Sequence, residues 1–152
     1  MSEQGESKTQ VAFHFNAPDK LDYACRFVRK AMRREVPVTV VAPMELLRQL
    51  SARLWKLAGQ DFLAHAVEGD DDAIFALSPV VLVSRATLSQ HRALLLNLGT
   101  AVPEGFEAFD KLVEVVSSWD DEDRQCARQR WRHYQQLGHA IERHDLVLNG
   151  GS

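Results

Sequence analysis

At 152 residues the chain fits one domain, and 45% hydrophobic with 26% charged residues is the balance of a globular fold. A net charge of −3 excludes a general nucleic-acid coat protein, whose affinity rests on many Lys and Arg contacts to phosphate. A chain of this size buries roughly two-thirds of its unfolded surface, so its core requires neither disulfide nor metal. Cys25 and Cys126 each fall within a helical pattern and lack a Cys or His neighbour at ligand spacing, as expected of reduced, buried thiols in a reducing compartment. The polar start has no signal-peptide core, and no apolar run reaches the about 18–20 residues of a membrane helix. These features point to the cytoplasm and to no membrane contact.

Residues 1–10 are expected to be a disordered tail. Val11-Ala-Phe-His-Phe15 alternates like a strand. Asn16-Ala-Pro-Asp19 then supplies a cap-type Asn and an early proline. Leu21, Ala24, Cys25, Val28, Ala31 and Met32 repeat at helical spacing to about Glu35. Val36-Pro-Val-Thr-Val-Val41 is a β-branched run, with Pro37 at its start. Leu46, Leu47, Leu50, Leu54 and Leu57 predict a second helix from Met44 to about Leu57.

Residues 61–66 suit a short strand or turn, and residues 68–72 an acidic loop. Pro79-Val-Val-Leu-Val83 and Leu94-Leu-Leu-Asn-Leu98 predict strands. Phe106, Phe109, Leu112 and Val113 have helical spacing, and Val113-Glu-Val-Val116 reads as the final strand. A last helix spans Asp120 to about Leu137, acidic in its first turn and basic beyond, as a helix dipole favours. Residues 147–152 are expected to be flexible. Strands alternating with helices imply one domain over residues 11–146: a three-layer α/β/α fold with a mainly parallel central sheet.

The first strand-to-helix turn, Phe15-Asn-Ala-Pro-Asp-Lys20, has no glycine, and Pro18 removes a backbone donor. The fold is therefore Rossmann-like without a nucleotide-binding loop. No P-loop and no Gly-x-Ser-x-Gly elbow occurs. His14, His65, His91, His133, His139 and His144 fit no metal spacing; surface or helix-end roles suit the last three. The acidic runs 70–72 and 120–123 read as a solvated loop and a helix N-terminus. No catalytic residue, cofactor, metal or small-molecule substrate is expected.

Residues 124–132 hold four arginines and no acid. Arg124, Arg128, Trp131, Arg132 and Gln135 share one helical face, while Ala127, Trp131, Tyr134 and Gly138 form an adjacent, more apolar one. Guanidiniums around an indole can bind a carboxylate and an aromatic ring together. The same pattern also suits a solvated basic face with Trp131 in the core. Direct single-strand binding by this helix would need stacking aromatics along an extended positive groove. A nucleotide-binding enzyme would need convergent polar groups beyond the strand ends.

An ordered set of segments resembles the DNA polymerase III chi subunit family over most of the chain. It comprises Phe13-His-Phe15, Leu54-Trp55 with Phe62 and His65, Ser78-Pro-Val-Val-Leu82, and Leu94-Leu-Leu-Asn-Leu98. It continues through Val102-Pro-Glu-Gly-Phe106, Phe109, Val113-Glu-Val-Val116, and Ala127-Arg-Gln-Arg-Trp-Arg132 with Tyr134 and Gly138. The resemblance implies a non-catalytic adaptor in DNA replication that meets DNA only indirectly. It would bind the acidic, phenylalanine-terminated C-terminal tail of single-stranded DNA-binding protein through Arg124, Arg128, Trp131, Arg132 and Gly138. Arg128 would clamp the terminal carboxylate and Trp131 would wall the ring pocket. A second surface, at Trp55 and Phe62, would bind the psi subunit of the clamp loader or, alternatively, a DNA repair helicase.

Overall fold

The computed structural model describes residues 8–56 and 65–147. Its elements in chain order are β1 (Gln10–Ala17), α1 (Lys20–Arg33), β2 (Val38–Val41), α2 (Met44–Lys56), β3 (Ala66–Val67), α3 (Asp72–Leu77), β4 (Val80–Val83), β5 (Leu94–Asn97), β6 (Lys111–Ser117), α4 (Asp121–Gln136) and β7 (Ile141–Asp145). The seven strands form a single sheet in the order β3-β4-β2-β5-β6-β1-β7, and each pairing is parallel. The expected three-layer α/β/α fold is therefore what the chain adopts.

Alternation along the strands builds two cores, one on each face of the sheet. Val38, Val40, Leu96, Val113 and Val115 pack with Leu21, Ala24 and Val28 of α1 and Leu47, Leu50 and Leu54 of α2. On the opposite face Val11, Phe13, Leu95, Leu112 and Val116 pack with Ala127 and Tyr134 of α4 and with Phe106 and Phe109. The β2, β4 and β5 runs are almost continuously apolar because both faces of the sheet are covered.

Several expectations change at the element ends. The N-cap of α1 is Asp19, whose side chain accepts from the backbone N–H groups of Leu21 and Asp22. Asn16 instead lies one residue before the end of β1, in a left-handed conformation (φ 68°), and its amide donates to Asp145 at the end of β7. Helix α1 stops at Arg33 because Glu35 takes φ 59°. The acidic loop leads into a short helix, α3, capped by Asp71. Phe106 and Phe109 lie on a single 3-10 turn after Gly105, whose φ of 82° breaks any longer helix; Leu112 and Val113 already belong to β6.

Strand β6 is not the last strand. It is followed by α4 and then β7, which pairs with β1 along Val11↔Ile141 to Phe15↔Asp145. His139, expected at a surface or helix end, is buried and hydrogen-bonded to the Thr9 carbonyl (3.0 Å). Cys25 is buried as expected, and burial pushes its thiol up to about 11; Cys126 is only partly covered.

His14 sits on the α1 face of β1. Burial, followed by the nearby His144 and Lys111, lowers its pKa to about 4. In the unfolded chain this ring takes up its proton near pH 6.5. The folded state therefore binds fewer protons between these values, and stability should be lost as pH falls from about 6.5 towards about 4. The share belonging to this side chain is up to about 3 kcal/mol. Urea unfolding at pH 7 and pH 5 should show a smaller pH-dependent loss in His14→Gln than in the wild type. Equal losses would assign the acid sensitivity to other groups.

Candidate functional site

In open α/β sheets ligands enter beyond the C-terminal strand ends. Here that crevice is filled by the protein itself. Lys20 Nζ lies 2.9 Å from Asp123 Oδ1 and donates to the Leu98 carbonyl at 3.0 Å. The other oxygen of Asp123 accepts from the Ser117 N–H at 2.9 Å. Asp120 caps α4 through the N–H groups of Glu122 and Asp123. The positive end of this helix is thus occupied by the chain's own carboxylates.

A shallower cavity of about 290 Å³ opens along α4 at the β1–β7 edge. Phe13, Phe15, Val116 and Ala127 give it apolar walls, and Trp131 stands beside them. The Trp131 ring is half-buried, with its centroid 5.0 Å from that of Phe13. Arg124, Arg128 and Arg143 bring three guanidiniums to the same opening. Arg143 lies over two rings, 5.6 Å from the Phe15 centroid and 5.9 Å from that of Trp131. Such stacking orients a guanidinium while leaving its N–H edge to donate.

The residues named from the sequence divide as follows. Arg124, Arg128 and Trp131 line the cavity; Arg132 is exposed and does not. Gly138 follows the α4 C-cap at φ 86°, also outside the lining. A Cβ there would sit 3.1 Å from Lys8 Nζ, which donates to the Leu137 carbonyl. Glycine at this position ends the helix without strain. On the other flank, Trp55 is 53% exposed, its ring 4.9 Å from that of His65; Phe62 lies outside the described residues.

Arg143 and Phe15 complete the cavity from β7 and β1. Arg130 departs from the basic surface suggested by its segment. It points inward, its Nε donating to Glu114 at 3.0 Å and its Nη1 to the Thr100 carbonyl at 2.9 Å. The Tyr134 hydroxyl donates to the same carboxylate at 2.5 Å, and the Asn97 amide at 3.1 Å. Burial pushes the Glu114 carboxyl upward, and Arg130 opposes this most strongly. The network fixes α4 in register against β6, which determines what Arg128 and Trp131 can reach.

The parallel sheet, without a phosphate loop, bears a small aromatic cavity rimmed by arginines, whose chemistry suits an anionic, ring-bearing group. Comparison with known proteins gives this arrangement its place. The model of the family described as DNA polymerase III chi subunit, HolC, matches residues 9–142. A relative from Pseudomonas aeruginosa, DNA polymerase III subunit chi, is 32% identical over 128 residues, covering 84% of this chain and 87% of that one. The chain belongs to the DNA polymerase III chi subunit family. It is thus an accessory replication subunit by family, and among the described residues no helix is long and apolar enough to cross a membrane.

Proposed function

We propose that this chain is a cytoplasmic, non-catalytic adaptor whose α4 cavity binds the acidic, phenylalanine-terminated C-terminal tail of single-stranded DNA-binding protein. The observation carrying this reading is the convergence of Arg124, Arg128 and Arg143 on a cavity walled by Phe13, Phe15 and Trp131. A terminal phenylalanine places its ring and its carboxylate on one carbon, so a single residue engages wall and rim together. The tail's acidic residues extend the attraction, with Arg132 near enough along α4 to join it from outside the cavity. Gly138 serves this site by ending α4 sharply rather than by contact.

A fluorescent peptide copying such a tail tests the reading. Binding should be saturable, weaken with salt, and fall at least tenfold in Arg128→Ala or when the final phenylalanine is removed. Absence of binding to folded protein at low salt would refute it.

Trp55 is proposed as part of a second surface, reaching the clamp loader through psi, with Phe62 beside it in sequence space. An exposed aromatic is the residue type that anchors such contacts. Trp55→Ala should abolish co-purification with psi while leaving tail-peptide binding unchanged. Retained psi binding would remove Trp55 from that role; capture of a repair helicase by the same residue would favour the helicase adaptor instead.

A further inference from the structure

Arg26, Arg29, Lys30, Arg33 and Arg34 recur along α1 and its C-cap at spacings that keep side chains on one helical face. With Lys111 of β6 they line an open cleft of about 690 Å³ between α1 and the sheet. At 1.5 Å rise per residue the series extends over about 12 Å. Asp22 pairs with Arg26 at 3.1 Å, and Glu142 lies 3.7 Å from Lys111 and 3.6 Å from His144. Lys30, Arg33 and Arg34 have no acidic partner among the described residues.

The floor of the cleft is aromatic. His14 Nδ1 is 2.5 Å from the Tyr23 hydroxyl, and His14 Nε2 is buried with no hydrogen-bond partner among the described residues. Burial raises the Tyr23 pKa, so the phenol keeps its proton within this hydrogen bond. The rings of Phe27 and His144 flank the imidazole, with centroids 6.0 Å and 4.6 Å from that of His14.

We propose that this cleft binds the backbone of single-stranded DNA, with a short run of phosphates along the cations of α1 and its C-cap. A row of cations beside a floor that includes Phe27 and His144 suits a strand that carries charge next to flat bases and requires no particular sequence. A run of peptide carboxylates would meet the cations and leave the rings unused. The cleft is separate from the α4 cavity. Alternation along β1 and β7 places His14 and His144 in one, and Phe13, Phe15 and Arg143 in the other.

The test is fluorescence anisotropy of a labelled oligodeoxythymidine titrated with the full chain at low salt. Saturable binding should weaken at least tenfold in Lys30→Glu/Arg34→Glu. The separate variants Lys30→Gln, Arg33→Gln and Arg34→Gln should each reduce the slope of log K against log salt by about 0.7, one released counterion contact on a single strand. These milder variants decide the matter if the charge-reversed protein does not fold. No binding at low salt, or binding indifferent to all these changes, would overturn the proposal. Binding lost in Arg128→Ala/Arg143→Ala but retained in the α1 variants would overturn it by moving the strand to the α4 cavity. Stronger binding of oligoglutamate than of the oligonucleotide, sensitive to the α1 changes, would overturn it in favour of an acidic protein partner.

Discussion

Arg130→Ala should destabilise the protein by about 3–5 kcal/mol, because it leaves a buried carboxylate without its countercharge. Glu114 is fully buried and Arg130 only 2% exposed, so water cannot replace the lost guanidinium without opening the α4–β6 contact. Tyr134 and Asn97 would still donate to Glu114, but neither carries charge. The pair is not thereby the cheapest filling of that space: Glu114→Leu/Arg130→Met should recover most of the loss, since apolar side chains of similar volume incur no charge desolvation. Urea unfolding of Glu114→Leu, Arg130→Met and their double variant supplies the cycle. A loss below about 1 kcal/mol for Arg130→Ala would mean that Glu114 is readily neutralised or rehydrated.

Arg128→Ala/Arg143→Ala should reduce tail-peptide binding at least a hundredfold, about 3 kcal/mol. The two guanidiniums reach the cavity from different elements, α4 and β7, so either can partly serve the carboxylate when the other is absent. Both are exposed in the free protein, and their removal should leave folding intact. The single Arg143→Ala variant separates its two roles. If stacking on Trp131 and Phe15 merely holds the rings, loss of Arg143 should weaken a peptide ending in phenylalanine and one ending in leucine differently. If it mainly holds the carboxylate, both peptides should weaken alike. Undiminished binding in the double variant would place the tail elsewhere.

The sheet interior was legible because its strands are apolar in runs and its helices α1 and α2 carry strong amphipathic spacing. What escaped was written in weaker signals. Ile141-Glu-Arg-His-Asp145 contains one apolar residue, since an edge strand needs little apolar character, and so β7 and its Arg143 did not stand out. Helical periodicity puts Arg124, Arg128, Trp131 and Arg132 on one face but does not say which of them meet a cavity; the first three line it and Arg132 does not. Arg130 was counted with a basic surface, yet it continues the buried series Asp123, Ala127, Arg130, Tyr134. The clue was Glu114, an acid inside the run Val113-Glu-Val-Val116, where a buried partner is required. Phe62 and the outer tails lie beyond the described residues, so their expected roles stand where the sequence left them.

The position of β1 has a consequence for how the molecule is made. This strand comes first in the chain, but its neighbours in the sheet are β6, paired from Gln10↔Lys111, and β7, paired from Val11↔Ile141. On the ribosome it must therefore wait for about a hundred residues to be synthesised before either edge can be satisfied. Folding dominated by such distant pairings is slow, and a strand with both edges open invites pairing with other chains meanwhile. The α4 cavity, built on β1 and completed by β7, is then among the last features to form. Competence to receive a partner would mark a finished chain, and a product released early, before residue 141, would lack both the strand and the Arg143 that closes the cavity.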